Sequence, residues 1–341
     1  MPSVSIALAT HNGEKHLAAQ LESLSRQTAL PSELVVTDDA SVDRTRDIVG
    51  EFAGTAPFPV RLHQNETRLG YRANFMCAVA LCGSDLIAFC DQDDVWDPEK
   101  ISVMKEPFRD PDVRLAYHNA TVMDNDGRPL GHFYQDRSGV ERFAPLATNP
   151  WRLVPGFTQV FRRSLTEYSF LHPASVDAYW PAERLAHDQW YLFLASVFGC
   201  TVHVSRPLVR YRQHGANAFG WNNESRLVPE PGYVLRNDGF IAAARNRSEL
   251  LRRLQDRSTP EEHARARAAI AYYDALHERL TGRRSVYDSP SLAARARAVH
   301  ALLKQGAYRS GRGATGYGWR GLLLDVCAGV PLGARSKRLF S

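Results

Sequence analysis

The chain has 341 residues, 44% hydrophobic and 23% charged, which suits a globular protein with material for one large domain or two ordinary ones. Its net charge of +5 is uneven: Gly232 to Ser341 carries 20 Lys and Arg against 9 Asp and Glu, a balance of +11, which leaves −6 on the first 231 residues. Five scattered cysteines without a Cys-x-x-Cys pair argue against a disulfide framework or a zinc site and fit a reducing compartment.

Val4 to Thr10 is a short, mostly apolar strand followed by turn residues, and it does not read as a signal peptide. Glu14 to Gln27 spaces Leu17, Leu21 and Leu24 as a helix does. Glu33 to Thr37 is a second strand ending in Asp38-Asp39, and helix caps in Ser41 to Thr45 precede Ile48, Val49 and Phe52. Val60 to His63 is a third strand, Ala73 to Leu81 a helix, and Leu86 to Cys90 a fourth strand. Strands alternating with helices predict an α/β fold with a mostly parallel sheet and flanking helices. The longest uncharged stretch, Trp190 to Ser205, is too short for a bilayer and reads as a helix followed by a strand.

Polar residues collect where the strands end: Thr10-His11-Asn12, Asp38-Asp39, Asn65, and Asp91-Gln92-Asp93-Asp94. Right-handed crossovers put these ends on one edge of a parallel sheet, where α/β proteins bind ligands. Three carboxylates within four positions repel one another, and a hard divalent cation relieves that; a solvated, helix-capping turn is the alternative. Neither a dinucleotide Gly-x-Gly-x-x-Gly nor a P-loop follows the first strand, so a nucleotide here is held by carboxylates and a metal.

Thr10-His11-Asn12-Gly13-Glu14, Val35 to Thr45, and Asp91-Gln92-Asp93-Asp94-Val95-Trp96 resemble family 2 glycosyltransferases, and Tyr211 to Asn217 resembles the rhamnosyltransferase-like branch of that family. The resemblance covers about residues 3 to 220. It implies a GT-A-type, Rossmann-like fold and inverting transfer from a nucleotide-diphospho-sugar donor with Mg²⁺ or Mn²⁺. Thr10, Asn12, Glu14, Asn65 and Asn74 are expected at the nucleotide sugar, Asp39 at the base imide, Asp91 near ribose, and Asp93 and His214 on the metal. Ala40 stands where the family often has Gly, and His11 replaces a frequent aromatic.

Asp124-Asn125-Asp126-Gly127 is a second Asp-x-Asp, but Asp-Gly between the strands Arg114 to Thr121 and Gly127 to Phe133 reads as a hairpin turn. Val154 to Arg163 resembles the family's strand leading into the acceptor site, with Gly156 allowing close approach of a ligand or another backbone; a plain strand with a bend is the alternative. Asp188 opens an apolar helix, where it is either an N-cap or, as the resemblance implies, the catalytic base. Arg210 and Arg212, two apart on a strand, fall on one face and are weaker candidates for diphosphate or acceptor.

Residues 1–225 are expected to form the catalytic domain, with a nucleotide-sugar half to residue 100 and an acceptor half beyond it. Residues 232–341 form a basic helical C-terminal extension, with helices at Tyr233 to Leu254, Pro260 to Leu280 and Ser291 to Lys304, then a glycine-rich loop from Gly306 to Gly321. The functional expectation is transfer of L-rhamnose from dTDP-rhamnose, or a hexose from a UDP-sugar, to a growing bacterial surface glycan or lipid-linked oligosaccharide. A nucleotidyltransferase and a silent sugar-nucleotide-binding scaffold are the alternatives. The basic tail suggests peripheral contact with anionic membrane on the cytoplasmic face; no nucleic-acid module is recognisable.

Overall fold

The computed structural model describes residues 2–133, 140–213, 238–254, 259–309 and 317–333. It resolves into two compact units, one of residues 1–145, 153–170 and 186–225, the other of 146–152, 171–185 and 226–341. Two short pieces of the acceptor half thus belong with the C-terminal helices.

The first unit begins with three βα repeats: β1 (Val4–Thr10), α1 (Leu17–Ser25), β2 (Glu33–Asp38), α2 (Thr45–Ala53), β3 (Val60–Gln64), α3 (Tyr71–Leu81) and then β4 (Leu86–Cys90). These four strands pair in parallel in the order β3-β2-β1-β4. Every residue of β4 is buried, as a strand covered by helices on both faces requires, whereas the edge strand β3 is mostly exposed. Thr10 pairs with Asp38 and Asp38 with Gln64, so the polar residues after these strands start from one level.

Beyond β4 the sheet turns mixed, which corrects the expectation of a mostly parallel one. It continues through β9 (Gln159–Arg162), β6 (Val113–Met123), β10 (Cys200–Arg212) and the two-residue β5 (Val95–Trp96). β9 runs antiparallel to both β4 and β6, because it returns between them without a crossover helix of its own. β7 (Pro129–Phe133) joins β6 through the 124–127 hairpin, and β8 (Glu141–Phe143) pairs with β10. Asp124 is spent on that turn, its Oδ1 accepting from Asp126 N and Arg128 N at 2.9 and 2.8 Å, and Gly127 supplies the positive φ. The Val154 to Arg163 stretch opens as a 3₁₀ turn over Gly156–Thr158 before β9. α4 (Lys100–Lys105) follows the acidic run, and α5 (His187–Phe198) precedes β10.

The second unit is helical: α6 (Asp238–Arg252), α7 (Pro260–Asp288), α8 (Leu292–Lys304) and α9 (Gly318–Leu324), the last running through a π-turn, Asp325–Gly329, into Val330–Leu332. α7 starts with a capping box, Thr259 and Glu262 each accepting from the other's backbone N–H, and extends past the expected Leu280. α9 begins inside the stretch expected to be loop. The short pieces are held on α6: Asn246 takes Val176 N and gives to Ala174 O, while Arg247 gives to Pro150 O at 2.9 Å and lies over Trp151.

Candidate active site

At the carboxyl edge of β1 and β2 the turns are tied to one another by side chains. Thr10 Oγ1 donates to Asp38 Oδ1 at 3.0 Å, and Ser41 gives both its N–H and its hydroxyl to the same carboxylate. Asn12 sits at φ +47° with its N–H on Ser41 Oγ and its Oδ1 accepting from Val42 N. Asparagine tolerates that left-handed conformation better than most residues. Ala40, at φ +56°, has no such excuse and occupies a place that glycine would fill at less cost. Glu14 accepts from Arg44 N, so its carboxylate braces the second turn.

Asp39 is buried and already receives three N–H groups: Asn65 Nδ2 at 3.0 Å, Leu69 N at 2.7 Å and Gly70 N at 2.8 Å. A carboxylate offers about four lone-pair sites, so room remains for one further donor. Asn74 is not arranged as a ligand donor in this structure. Its Oδ1 takes Asn65 Nδ2 at 2.9 Å, and its Nδ2 gives to Thr37 O at 2.9 Å and Thr10 O at 3.3 Å. It positions Asn65, which in turn positions Asp39.

Gln92, between the two aspartates of the acidic run, was not singled out by sequence. Its amide grips His11 from both sides, accepting from His11 N at 2.9 Å and donating to His11 O at 3.1 Å. A Cβ on Gly13 would overlap this amide, which is why glycine follows Asn12. The acidic run is thereby fastened to the first strand's turn.

The three carboxylates of the run differ. Asp94 is fully buried; its Oδ1 accepts from Arg212 N at 3.0 Å, while its Oδ2 has no hydrogen-bond partner. Burial, reinforced by Asp93 and Asp91, holds its carboxyl well above the usual range. Asp91 is pushed up to about 7 by burial first, then by Asp93 and Asp188. That last influence brings Asp188, nearly a hundred residues on, to the same site. Asp93 is half-buried and its carbonyl accepts Arg212 Nε at 2.8 Å.

Lys100 is the other residue that sequence reasoning passed over. It is 0% exposed, donates to Phe157 O at 2.7 Å and lies 3.6 Å over the Trp96 ring. Burial pulls its ammonium down to about 7 against the opposing pull of Cys90, Asp94 and Asp91. Its only sequence signal was a cation four positions after Trp96 at the mouth of the acidic run.

Asp188 is not the cap of α5. Ala186 occupies that position, and Asp188 lies in the first turn with its Oδ1 on Gln189 N. Carboxylates are favoured there by the helix dipole. Its carbonyl accepts from Gln159 Nε2 at 3.2 Å. What approaches Gly156 closely is neither a ligand nor a backbone but two side chains of α5: a Cβ there would stand 2.8 Å from His187 Nε2 and 3.4 Å from Asp188 Cβ. His187 is itself wedged by stacking on Phe75 and meeting Phe89 edge-on.

Arg210 and Arg212 do not share an environment. Arg210 is exposed, whereas Arg212 is buried with its Nη1 on Asp124 O and Asn125 O, the carbonyls of the 124–127 hairpin. Arg212 therefore clamps the acidic turn to the hairpin. His214 lies outside the described residues.

A hard cation fits this donor set in part. Asp94 Oδ2 accepts no hydrogen bond, and burial with mutual repulsion raises the carboxyls of Asp91 and Asp94, a cost of ionisation that a cation would relieve. Yet among the described residues no three His, Cys, Asp or Glu side chains close on one point, so a cation here would need further oxygens from a phosphate.

A parallel half with its turns gathered around buried carboxylates, continued by a mixed half that brings in Asp188, is a fold of the GT-A type. The fold matches that of S. aureus TarS 1–349, crystallised with UDP, at TM-score 0.54 and 18% identity over 99% of this chain and 91% of that one. Residues 5–170, just under half of the chain, match the model "Glycosyl transferase family 2". An uncharacterized glycosyltransferase of Nostoc sp. is 26% identical over 69% of this chain and 73% of its own. The dTDP-rhamnosyl transferase RfbG of Shigella flexneri is 27% identical over 63% of this chain and 74% of its own. The chain spans 59% of the length of the Mycobacterium relatives it also matches.

Proposed function

We propose that the protein is an inverting glycosyltransferase that moves a sugar from a nucleotide-diphospho-sugar, dTDP-rhamnose or a UDP-sugar, to a hydroxyl of a bacterial surface glycan or its lipid-linked precursor. The observation that carries this reading is the electrostatic meeting of Asp91, Asp93 and Asp188 at one sheet edge, with Asp39 and its last acceptor position on the same edge. Similarity to a relative named for dTDP-rhamnosyl transfer supports the donor. Five free cysteines suit a cytoplasmic setting, and among the described residues no helix is long and apolar enough to cross a membrane.

In this reading Asp39 accepts the imide N–H of the base, and Thr10, Asn12 and Asn65 form the walls of the nucleotide site. Asp91 lies toward the ribose. Asp93 and, outside the described residues, His214 would hold Mg²⁺ or Mn²⁺, which when bound supplies positive charge to a leaving diphosphate. Asp188 takes the proton of the attacking hydroxyl from the face opposite the leaving group, so a single displacement inverts the anomeric centre. A general base of this kind contributes about 10²–10⁴-fold.

The test is a donor panel (dTDP-rhamnose, UDP-glucose, UDP-N-acetylglucosamine, GDP-mannose) with Mg²⁺ or Mn²⁺, read by thermal unfolding. A donor at 100 times its Kd adds about 2.7 kcal/mol to stability. No shift with any donor would defeat the proposal. Asp188→Asn should lower transfer by about 10²–10⁴-fold with donor-induced stabilisation unchanged; loss of both would make Asp188 structural.

A further inference from the structure

The segment Gly318–Leu332 packs Leu322 and Val330 on the helical core and yet keeps further apolar side chains in solvent. Its inward face carries a charge: Asp325, 0% exposed, accepts from Arg283 through Nε and Nη2 and from the hydroxyls of Tyr287 and Tyr308. Its outward face is apolar, with Trp319 66%, Leu323 55%, Val326 47% and Leu332 39% exposed. Positions 319, 323 and 326 recur at helical spacing, so they form one stripe. Such a row is more than the single exposed apolar residue that needs no explanation.

Along the sequence on either side of the stripe the charge has one sign. From Gly306 to Ser341 there are six Arg and Lys and one carboxylate, and that carboxylate is Asp325, buried and paired. Among the described residues Arg320 lies over the Trp319 ring at one end, and at the other the Arg295 guanidinium packs against Gly333. On the neighbouring helix α8, Arg297, Lys304, Leu292 and Leu303 are exposed as well. Apolar side chains with Trp at the margin and cations beside them match an anionic bilayer surface, where the chains enter the headgroup boundary and the guanidinium groups meet phosphate.

We infer that the face of Gly318–Leu332 carrying Trp319, Leu323 and Val326 docks on anionic phospholipid, holding the second unit at a membrane surface as a peripheral anchor. This inference does not depend on the donor or the metal. Asp325 is its positioning residue: tied to Arg283, Tyr287 and Tyr308, it fixes the rotation of the helix that leaves Trp319, Leu323 and Val326 outward.

The experiment is flotation of the full chain with phosphatidylglycerol-containing vesicles and with pure phosphatidylcholine vesicles, at low and high salt. Trp319→Ser combined with Leu323→Ser changes only exposed side chains, and an unaltered melting curve checks that the variant folds. The expected result is retention on anionic vesicles that weakens with salt, and a loss on the order of tenfold in the double variant, since each removed apolar chain takes its partitioning energy with it. Absence of flotation at low salt, equal binding to neutral vesicles, or unchanged binding of the double variant would each overturn it. So would a concentration-dependent dimer that the double variant abolishes, because the stripe would then belong to a second copy.

Discussion

Asp91 and Lys100 give the site a pH signature of its own. In the unfolded chain an aspartate ionises near 3.8, but in the folded protein Asp91 does so near 7, held up by burial, Asp93 and Asp188. Its contribution to stability is therefore full below about pH 4 and is lost as pH rises through 7. Asp94, raised in the same direction, adds to that fall. Lys100 acts in the opposite sense: lowered from 10.5 to about 7, its contribution is full above the ordinary lysine range and is lost as pH falls through 7. Together these groups place a minimum near pH 7 for the chain stripped of divalent cations. Thermal unfolding in chelator should show that minimum; Asp91→Asn should flatten the acid limb, and Mg²⁺ should raise stability most near the minimum. An Asp91→Asn curve parallel to the parent's would remove Asp91 as the cause.

At the scale of elements, the site depends on how closely α5 approaches the Gly156–Thr158 turn. Gly156→Ala inserts a methyl 2.8 Å from the His187 ring, which is boxed in by Phe75 and Phe89. Overpacking of this kind costs about 1–3 kcal/mol. Because Asp188 follows His187 in the same turn, transfer should fall more than stability does, with donor-induced stabilisation retained; kinetics and melting of one preparation separate the two. In the second unit Asp325 and Arg283 form a buried pair, with Asp325 0% exposed. Asp325→Ala leaves the guanidinium buried and uncompensated, a loss of about 3–5 kcal/mol. Calorimetry should show the loss in the transition of the helical unit, whereas an unchanged transition would mean the pair is bypassed by water.

At the scale of the whole chain, the parts legible in the sequence were those set by local rules. The apolar run Leu86–Cys90 is short, uncharged and followed by aspartates, and it is a strand with the bounds expected. Alternation of strand and helix announced the parallel half, and the Asp-Gly step at 126–127 announced the hairpin. The mixed half was not legible, because β9 sits between β4 and β6 by pairing back across more than forty residues to each, and nothing in four residues encodes two partners. Period-two spacing holds for Arg210 and Arg212, which pair with β6 in one unbroken register, but the sequence did not show that the 124–127 hairpin carbonyls would take up Arg212 alone.

The sequence by itself determined which residues of the candidate site exist and that the acidic run would end a buried strand, since strand periodicity and turn chemistry act over a few positions. Tertiary structure decided what each of them does. It tied Gln92 to His11, spent Asn74 on holding Asn65 and Asp39, clamped Arg212 over the acidic turn and buried Lys100 beside it. It also brought Asp188 to bear on Asp91 across nearly a hundred residues of chain. The physical reason is range. Hydrogen bonds and pKa shifts are set by neighbours within a few ångströms, and those neighbours are chosen by the packing of the sheet, not by order along the chain.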